Sequence, residues 1–193
     1  MTTSIQSVPS SNARANFMTA AGILIILLGA GAALLPFVDR LSGNRVVGVL
    51  LLAAGVVEIA AGTQRVQNKF LAMLAGAVTT LAGLLFVANP VAHFLPTITI
   101  VTVWLIARSV ILAVTSGRAH GSVRIWLGIA AATDFALGVL LLIGLSIATA
   151  IVMLFGPTPT LVASFAWLFA ISFAVTGGLL LEIASCFRNT EIG

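Results

Sequence analysis

TITIVTVWLIARSVILAVTS (Thr97–Ser116) and, after a short break, VRIWLGIAAATDFALGVLLLIGL (Val123–Leu145) form the stretch that decides how this chain reads. Each run is apolar over roughly the 20 residues needed to cross a hydrocarbon core about 30 Å thick. Each also carries a single charge near its middle, Arg108 in the first and Asp134 in the second. A charged side chain at that depth costs about 3 kcal/mol or more, so it needs a partner and often has a task. Arg108 lies ten residues before Arg118, and Asp134 ten residues after Arg124. At about 1.5 Å per residue both sit some 15 Å from the same edge of the bilayer. Helices joined by so short a loop are neighbours, and the matched depths predict a buried Arg108–Asp134 pair, with Ser109 and Thr133 beside it as hydrogen-bonding groups. If the two pair, Asp134→Asn destabilises the protein, and adding Arg108→Gln restores part of the loss.

The rest of the chain has the same character. Of its 193 residues 60% are hydrophobic and only 7% charged, and the mean hydropathy is +1.20. A soluble domain carries about a quarter of its residues as charges. The sequence pI near 11.2 does not point to nucleic acid, because the nine basic residues form no cluster. The single cysteine, Cys186, has no partner for an intramolecular disulfide, and no second thiol or adjacent histidine suggests a metal site.

Residues 1–16 are polar and rich in Ser, Thr and Asn, and read as a disordered cytoplasmic tail. Phe17–Val38 is 22 residues long, against the usual signal-peptide core of about 7–15, and reads as an uncleaved first span. Five further runs follow at Val46–Gly62, Phe70–Ala88, Thr97–Ser116, Val123–Leu145 and Leu161–Phe187. The reading is an all-α integral membrane protein with six transmembrane helices over residues 17–187, closed by a cytoplasmic tail at 188–193. The segment Leu145–Thr160 (LSIATAIVMLFGPTPT) fits this plan least well. Continuing the fifth helix through it would give about 46 Å of helix from Trp126 to Gly156, so Gly144 is read as a break and the segment as an interfacial or re-entrant piece.

Loop charges orient the spans. One side receives Arg14, Arg65, Lys69, Arg118, Arg124 and Arg188; the other receives only Arg40 and Arg45, with Asp39 beside them. The positive-inside rule then puts both termini in the cytoplasm.

The chain also repeats itself. Gly22, Gly29 and Pro36 are spaced seven and seven, as are Gly76, Gly83 and Pro90, displaced by 54 residues. Seven residues is close to two helical turns, so each glycine pair lies on one stripe, where small residues let membrane helices approach closely. Glu58 (in GVVEIAAG), Arg108 and Glu182 (in GGLLLEIAS) fall in corresponding regions of the even spans. The third unit departs from the pattern: counted from Gly128, the next positions are Phe135 and Leu142. The chain reads as three tandem helix-pair repeats, the last one modified.

Helix pairs whose glycine-bearing first helix closes on a proline (LLGAGAALLPFV, LAGLLFVANP) resemble the HdeD-like acid-resistance membrane proteins. The second helix LLLAAGVVEIAAGTQR and the third-pair start Trp126-Leu127-Gly128-Ile129 add to the likeness, which covers about residues 17–187. The resemblance implies a small bacterial inner-membrane protein linked to acid tolerance. It supplies no catalytic or ligand residues to carry over.

The groups that could carry chemistry are therefore the intramembrane charges Arg108, Asp134, Glu58 and Glu182. Glu58 lies seven residues before Arg65 and Glu182 six before Arg188, each about 10 Å inside the cytoplasmic face. A carboxyl there is either ionised through water or neutral and hydrogen-bonded, and exchange between those states is a route to acid sensing or proton movement. The alternative is that all four groups hold the bundle together. Three carboxylates against one arginine leave at least two seeking water, a proton or another donor. His93 and His120 fall in loops on opposite sides and read as solvated. No G-x-S-x-G, H-E-x-x-H, GK[ST] or Cys/His cluster occurs, so neither enzyme chemistry nor a cofactor or metal is expected. Expected partners are the lipid bilayer, and a second copy or another membrane protein at the small-residue faces, but no nucleic acid. The leading function, implied by the resemblance, is a stress-related contribution to acid resistance. The alternatives are a small proton- or solute-linked transporter or channel, and a membrane scaffold.

Overall fold

The computed structural model of the chain describes residues 11–34, 43–65, 68–88, 97–155 and 160–189. They form α1 (Ser11–Leu34), α2 (Gly43–Gln64), α3 (Lys69–Ala88), α4 (Thr97–Arg118), α5 (Gly121–Phe155) and α6 (Thr160–Asn189). All six are long and apolar enough to cross a membrane. Large apolar side chains such as Leu27, Val56, Phe70, Val103, Ile125 and Leu140 face outward. Polar and charged side chains including Glu58, Arg108, Asp134 and Ser172 are buried inside. This is the polarity of a bundle dissolved in lipid, where the exterior has nothing to gain from polar groups.

Two of the expected boundaries change. α1 begins at Ser11, so residues 11–16 are helical and do not belong to a disordered tail. α5 runs without a break from Gly121 to Phe155, about 52 Å at 1.5 Å per residue. Residues 145–155 are therefore the continuation of a helix longer than the bilayer core, not a separate interfacial or re-entrant piece. A glycine inside a helix costs about 1 kcal/mol but does not stop it, so Gly144 is too weak a signal to end an apolar run that meets no proline before Pro157. Pro36, Pro90, Pro96, His93 and the Gly156–Pro159 stop lie outside the described residues.

The helices form a ring in which every neighbour is antiparallel. The most extensive contacts are α2 with α3, α1 with α6 and α4 with α5; sequence neighbours α1–α2, α3–α4 and α5–α6 touch more lightly. The repeat thus runs odd-to-even along the chain, whereas the tightest packing pairs each even helix with the odd helix that follows it. α6 closes the ring on α1. Two short turns make the consecutive pairs: Asn68 (φ 55°) leads into α3, and Gly121 (φ 65°) starts α5. Both adopt the left-handed backbone that Asn and Gly tolerate best. These turns lie at the end of the ring that carries Arg65, Lys69, Arg118, Arg124 and Arg188, called the basic face below.

Glycine contacts fix the register of the repeat. A Cβ on Gly83 would lie 2.6 Å from the Leu52 amide, and one on Gly22 would lie 2.9 Å from the Gly177 carbonyl. On α5 the matching glycine is Gly138, which meets Ile106 and Leu105. Gly138 lies 55 residues after Gly83, and Ala131 lies 55 after Gly76. The third unit therefore follows the pattern with an alanine in place of the first glycine. Counting from Gly128 misplaces it, because Gly128 meets only the Ser116 hydroxyl, at 3.5 Å.

Candidate functional site

The expected Arg108–Asp134 pair is present, but as part of a larger set. Arg108 Nη1 donates to Asp134 Oδ2 at 2.9 Å and to Ser172 Oγ at 2.8 Å. Nη2 donates to Glu58 Oε1 and to Thr176 Oγ1, each at 2.6 Å. A guanidinium has four N–H groups on its two terminal nitrogens, and all four are used. Ser172 in turn donates to Asp134 Oδ1 at 2.6 Å. Thr79 donates to Glu58 Oε2 at 3.3 Å and accepts the Trp104 indole N–H at 3.2 Å. Arg108 also sits with its guanidinium carbon 5.8 Å from the Trp104 ring centroid. Four helices, α2, α4, α5 and α6, meet at this one side chain, which is 1% exposed, and α3 joins through the bond from Thr79 to Glu58.

This geometry revises the expectation of orphan carboxylates. Both Glu58 and Asp134 are bound to Arg108. Glu182 takes no part: it is half-buried on α6, outside the set. Ser109 does not serve the pair either, since its hydroxyl donates to the Ile106 carbonyl of its own helix. The supporting hydroxyls come from Ser172 and Thr176, which the sequence reading passed over. Their signal was two hydroxyls four residues apart on one face of an otherwise apolar helix. Fully ionised, the buried set holds two carboxylates and one guanidinium, a net charge of −1 in a low dielectric, where an uncompensated charge is costly.

The two ends of the ring treat this set differently. Away from the basic face, Trp104, Phe169, Phe173 and Phe86 stack with ring centroids 5.4–6.4 Å apart. With Leu105 and Val101 buried among them, they form an apolar plug. Towards the basic face, a cavity of about 30 Å³ is lined by Glu58, Arg65, Arg108, Thr115 and Thr176. That is room for a water molecule, which needs about 10–15 Å³ by this measure. Arg65 and Thr115 also line a second, more open cavity of about 390 Å³ with Asn68, His120, Leu127 and Cys186. Arg65 thus stands between the outer vestibule and the buried set. Burial lowers its pKa to about 10 while Glu58 acts to raise it, so at neutral pH it remains a cation. His120 faces this vestibule, on the same side as the set. Among the described residues no group of three or more His, Cys, Asp and Glu is placed to hold a metal ion.

Comparison with known proteins bears on the repeat. No curated protein and no solved structure matches the chain. One family model, described as a short repeat of unknown function (DUF308), matches twice, over residues 20–86 and residues 74–143. The two matches begin 54 residues apart, the displacement that relates Gly22 and Gly29 to Gly76 and Gly83. Each covers three helices, and α3 belongs to both. With more than half of its length inside these matches, this six-span membrane protein belongs to the DUF308 short-repeat family.

Proposed function

We propose that the protein is a stress-related component of the bacterial inner membrane that contributes to acid tolerance, with both termini cytoplasmic and the Glu58–Arg108–Asp134 set as its proton-responsive element. The observation that carries this reading is one-sided access. The set borders a water-sized cavity that shares Arg65 and Thr115 with the vestibule on the basic face, whereas on its other side the described residues form the aromatic plug. A proton entering from the basic face would cancel the net charge of −1 and loosen the hold of Arg108 on one carboxylate. That changes the grip between α4 and the helices around it. The basic residues at one end of the ring support a cytoplasmic location for that face. HdeD-like proteins contain this same repeat, which supports the link to acid tolerance. The reading assigns no enzymatic reaction.

The test is acid survival of a deletion strain complemented with wild type, Glu58→Gln or Asp134→Asn, with membrane levels matched by immunoblot. Either neutral isostere holds the set in its discharged state, so survival after an acid shift should no longer match wild type. Wild-type survival with both variants would overturn the proposal. Proteoliposomes separate the transporter alternative: a structure closed on one side conducts no steady proton current, and an acid-driven flux abolished by Glu58→Gln would establish transport instead.

A further inference from the structure

We propose that the 390 Å³ vestibule on the basic face is a binding site for a phosphate group, either free or on a lipid head group, with Arg65 as its principal ligand. None of the described lining residues is acidic, and three of them, Arg65, Asn68 and His120, have side chains that carry N–H donors. A planar guanidinium fork matches phosphate geometry. Asn68 and His120 immediately precede α3 and α5, while Arg65 and Ala119 immediately follow α2 and α4, so helix ends of both partial charges flank the cavity and the Arg65 guanidinium sets its sign. Thr115 contributes a wall rather than a donor, because its hydroxyl donates to the Ile111 carbonyl. At the inner end Arg65 also faces Glu58, so an anion on Arg65 would compete with Glu58 for the same cation. The volume exceeds that of a bare phosphate, leaving space for an ester substituent.

The chain supplies its own reporter, since its single cysteine, Cys186, lines this vestibule. The experiment measures the rate of maleimide labelling of Cys186 in purified full-length protein. One series uses a phosphate-free maltoside detergent, with inorganic phosphate or chloride added at matched ionic strength. A second uses nanodiscs with and without phosphatidylglycerol. At ten times the dissociation constant, mass action leaves about one site in eleven open, so phosphate should slow labelling about tenfold. Arg65→Gln should abolish the protection, and Arg65→Lys, which keeps the charge but not the fork, should retain part of it. Protection by inorganic phosphate identifies a soluble source. Protection that appears only with phosphatidylglycerol, and is lost in Arg65→Gln, identifies the head group. Equal labelling of wild type and Arg65→Gln in every medium, or equal protection by chloride, would overturn the proposal. Phosphorus-31 line broadening with wild-type protein provides a readout that does not depend on how well the variants fold, and its absence at millimolar phosphate and in phosphatidylglycerol nanodiscs would overturn it as well.

Discussion

In the α2–α3 pair, Gly55, Gly76 and Gly83 bring two backbones together; at the corresponding places in α4–α5 stand Ser109, Ala131 and Gly138. One step deeper, the α2–α3 pair has Ala54 and Thr79 where α4–α5 has Arg108 and Asp134. The third pair has Thr176 on α6 and Ile25 on α1 at those positions. The repeat therefore builds three equivalent locations at mid-height in the ring, and the chain has filled them differently. One holds the Arg108–Asp134 pair; from another, Thr176 accepts a hydrogen bond from Arg108, and from the remaining one, Thr79 donates to Glu58, the other carboxylate on Arg108. Shape holds α2 to α3, whereas charge takes a large share in holding α4 to α5. The departure of one unit from its siblings thus marks the candidate site.

The strongest way to break this contrast is to remove the shared cation. Arg108→Gln leaves Glu58 and Asp134 buried without their donor, and breaking a buried pair commonly costs about 3–5 kcal/mol. Asp134→Asn is expected to cost less, because Arg108 keeps Glu58 and the remaining pair is electrically balanced. Adding Glu58→Gln and Asp134→Asn to Arg108→Gln should recover much of the loss. Apparent unfolding temperatures in detergent give the ranking. Equal losses for Arg108→Gln and Asp134→Asn, with no recovery in the triple variant, would mean that the guanidinium is not shared as the structure shows.

The next effect belongs to the glycine-packed pair. Gly83→Ala places a methyl 2.6 Å from the Leu52 amide and 2.9 Å from the Gly48 carbonyl, both backbone atoms that cannot move independently. Overpacking of this kind costs about 1–3 kcal/mol. The same unfolding measurement should show a clear loss, and no change would indicate that α2 and α3 are farther apart than described.

Much of this was legible in the sequence, for identifiable reasons. The six spans follow from apolar run length, and the Arg108–Asp134 pair from equal distances to the flanking Arg118 and Arg124. The 54-residue displacement was visible because both glycines survive in α3. Three things were hidden. The register of α5 was obscured because Ala131 replaces a glycine and Gly128, which touches little, offered a false start. Glu58 joins Arg108 from a helix 50 residues away in sequence, and no spacing rule links α2 to α4 across a ring. The Ser172 and Thr176 hydroxyls gave only a weak signal, their four-residue spacing, because such residues sit in many membrane helices bonded to their own backbone, as Thr176 also is to Ser172. Run length and periodicity specify single helices; they do not specify which faces meet.

The smallest expected effect has the opposite sign and tests the register itself. Gly128 sits in the interior of α5, and the nearest atom to an added Cβ would be the Ser116 hydroxyl at 3.5 Å, an ordinary contact. A helical glycine is destabilising by roughly 0.5–1 kcal/mol relative to alanine, because its unfolded backbone has more freedom to lose. Gly128→Ala should therefore raise the unfolding temperature slightly, whereas Gly83→Ala lowers it. If Gly128→Ala instead destabilised as strongly as Gly83→Ala, Gly128 would be the true counterpart of Gly76 and α5 would be rotated from its described register. Asp134 would then turn away from Arg108, and the ion pair would fail with it. One methyl group thus tests both the repeat and the site built upon it.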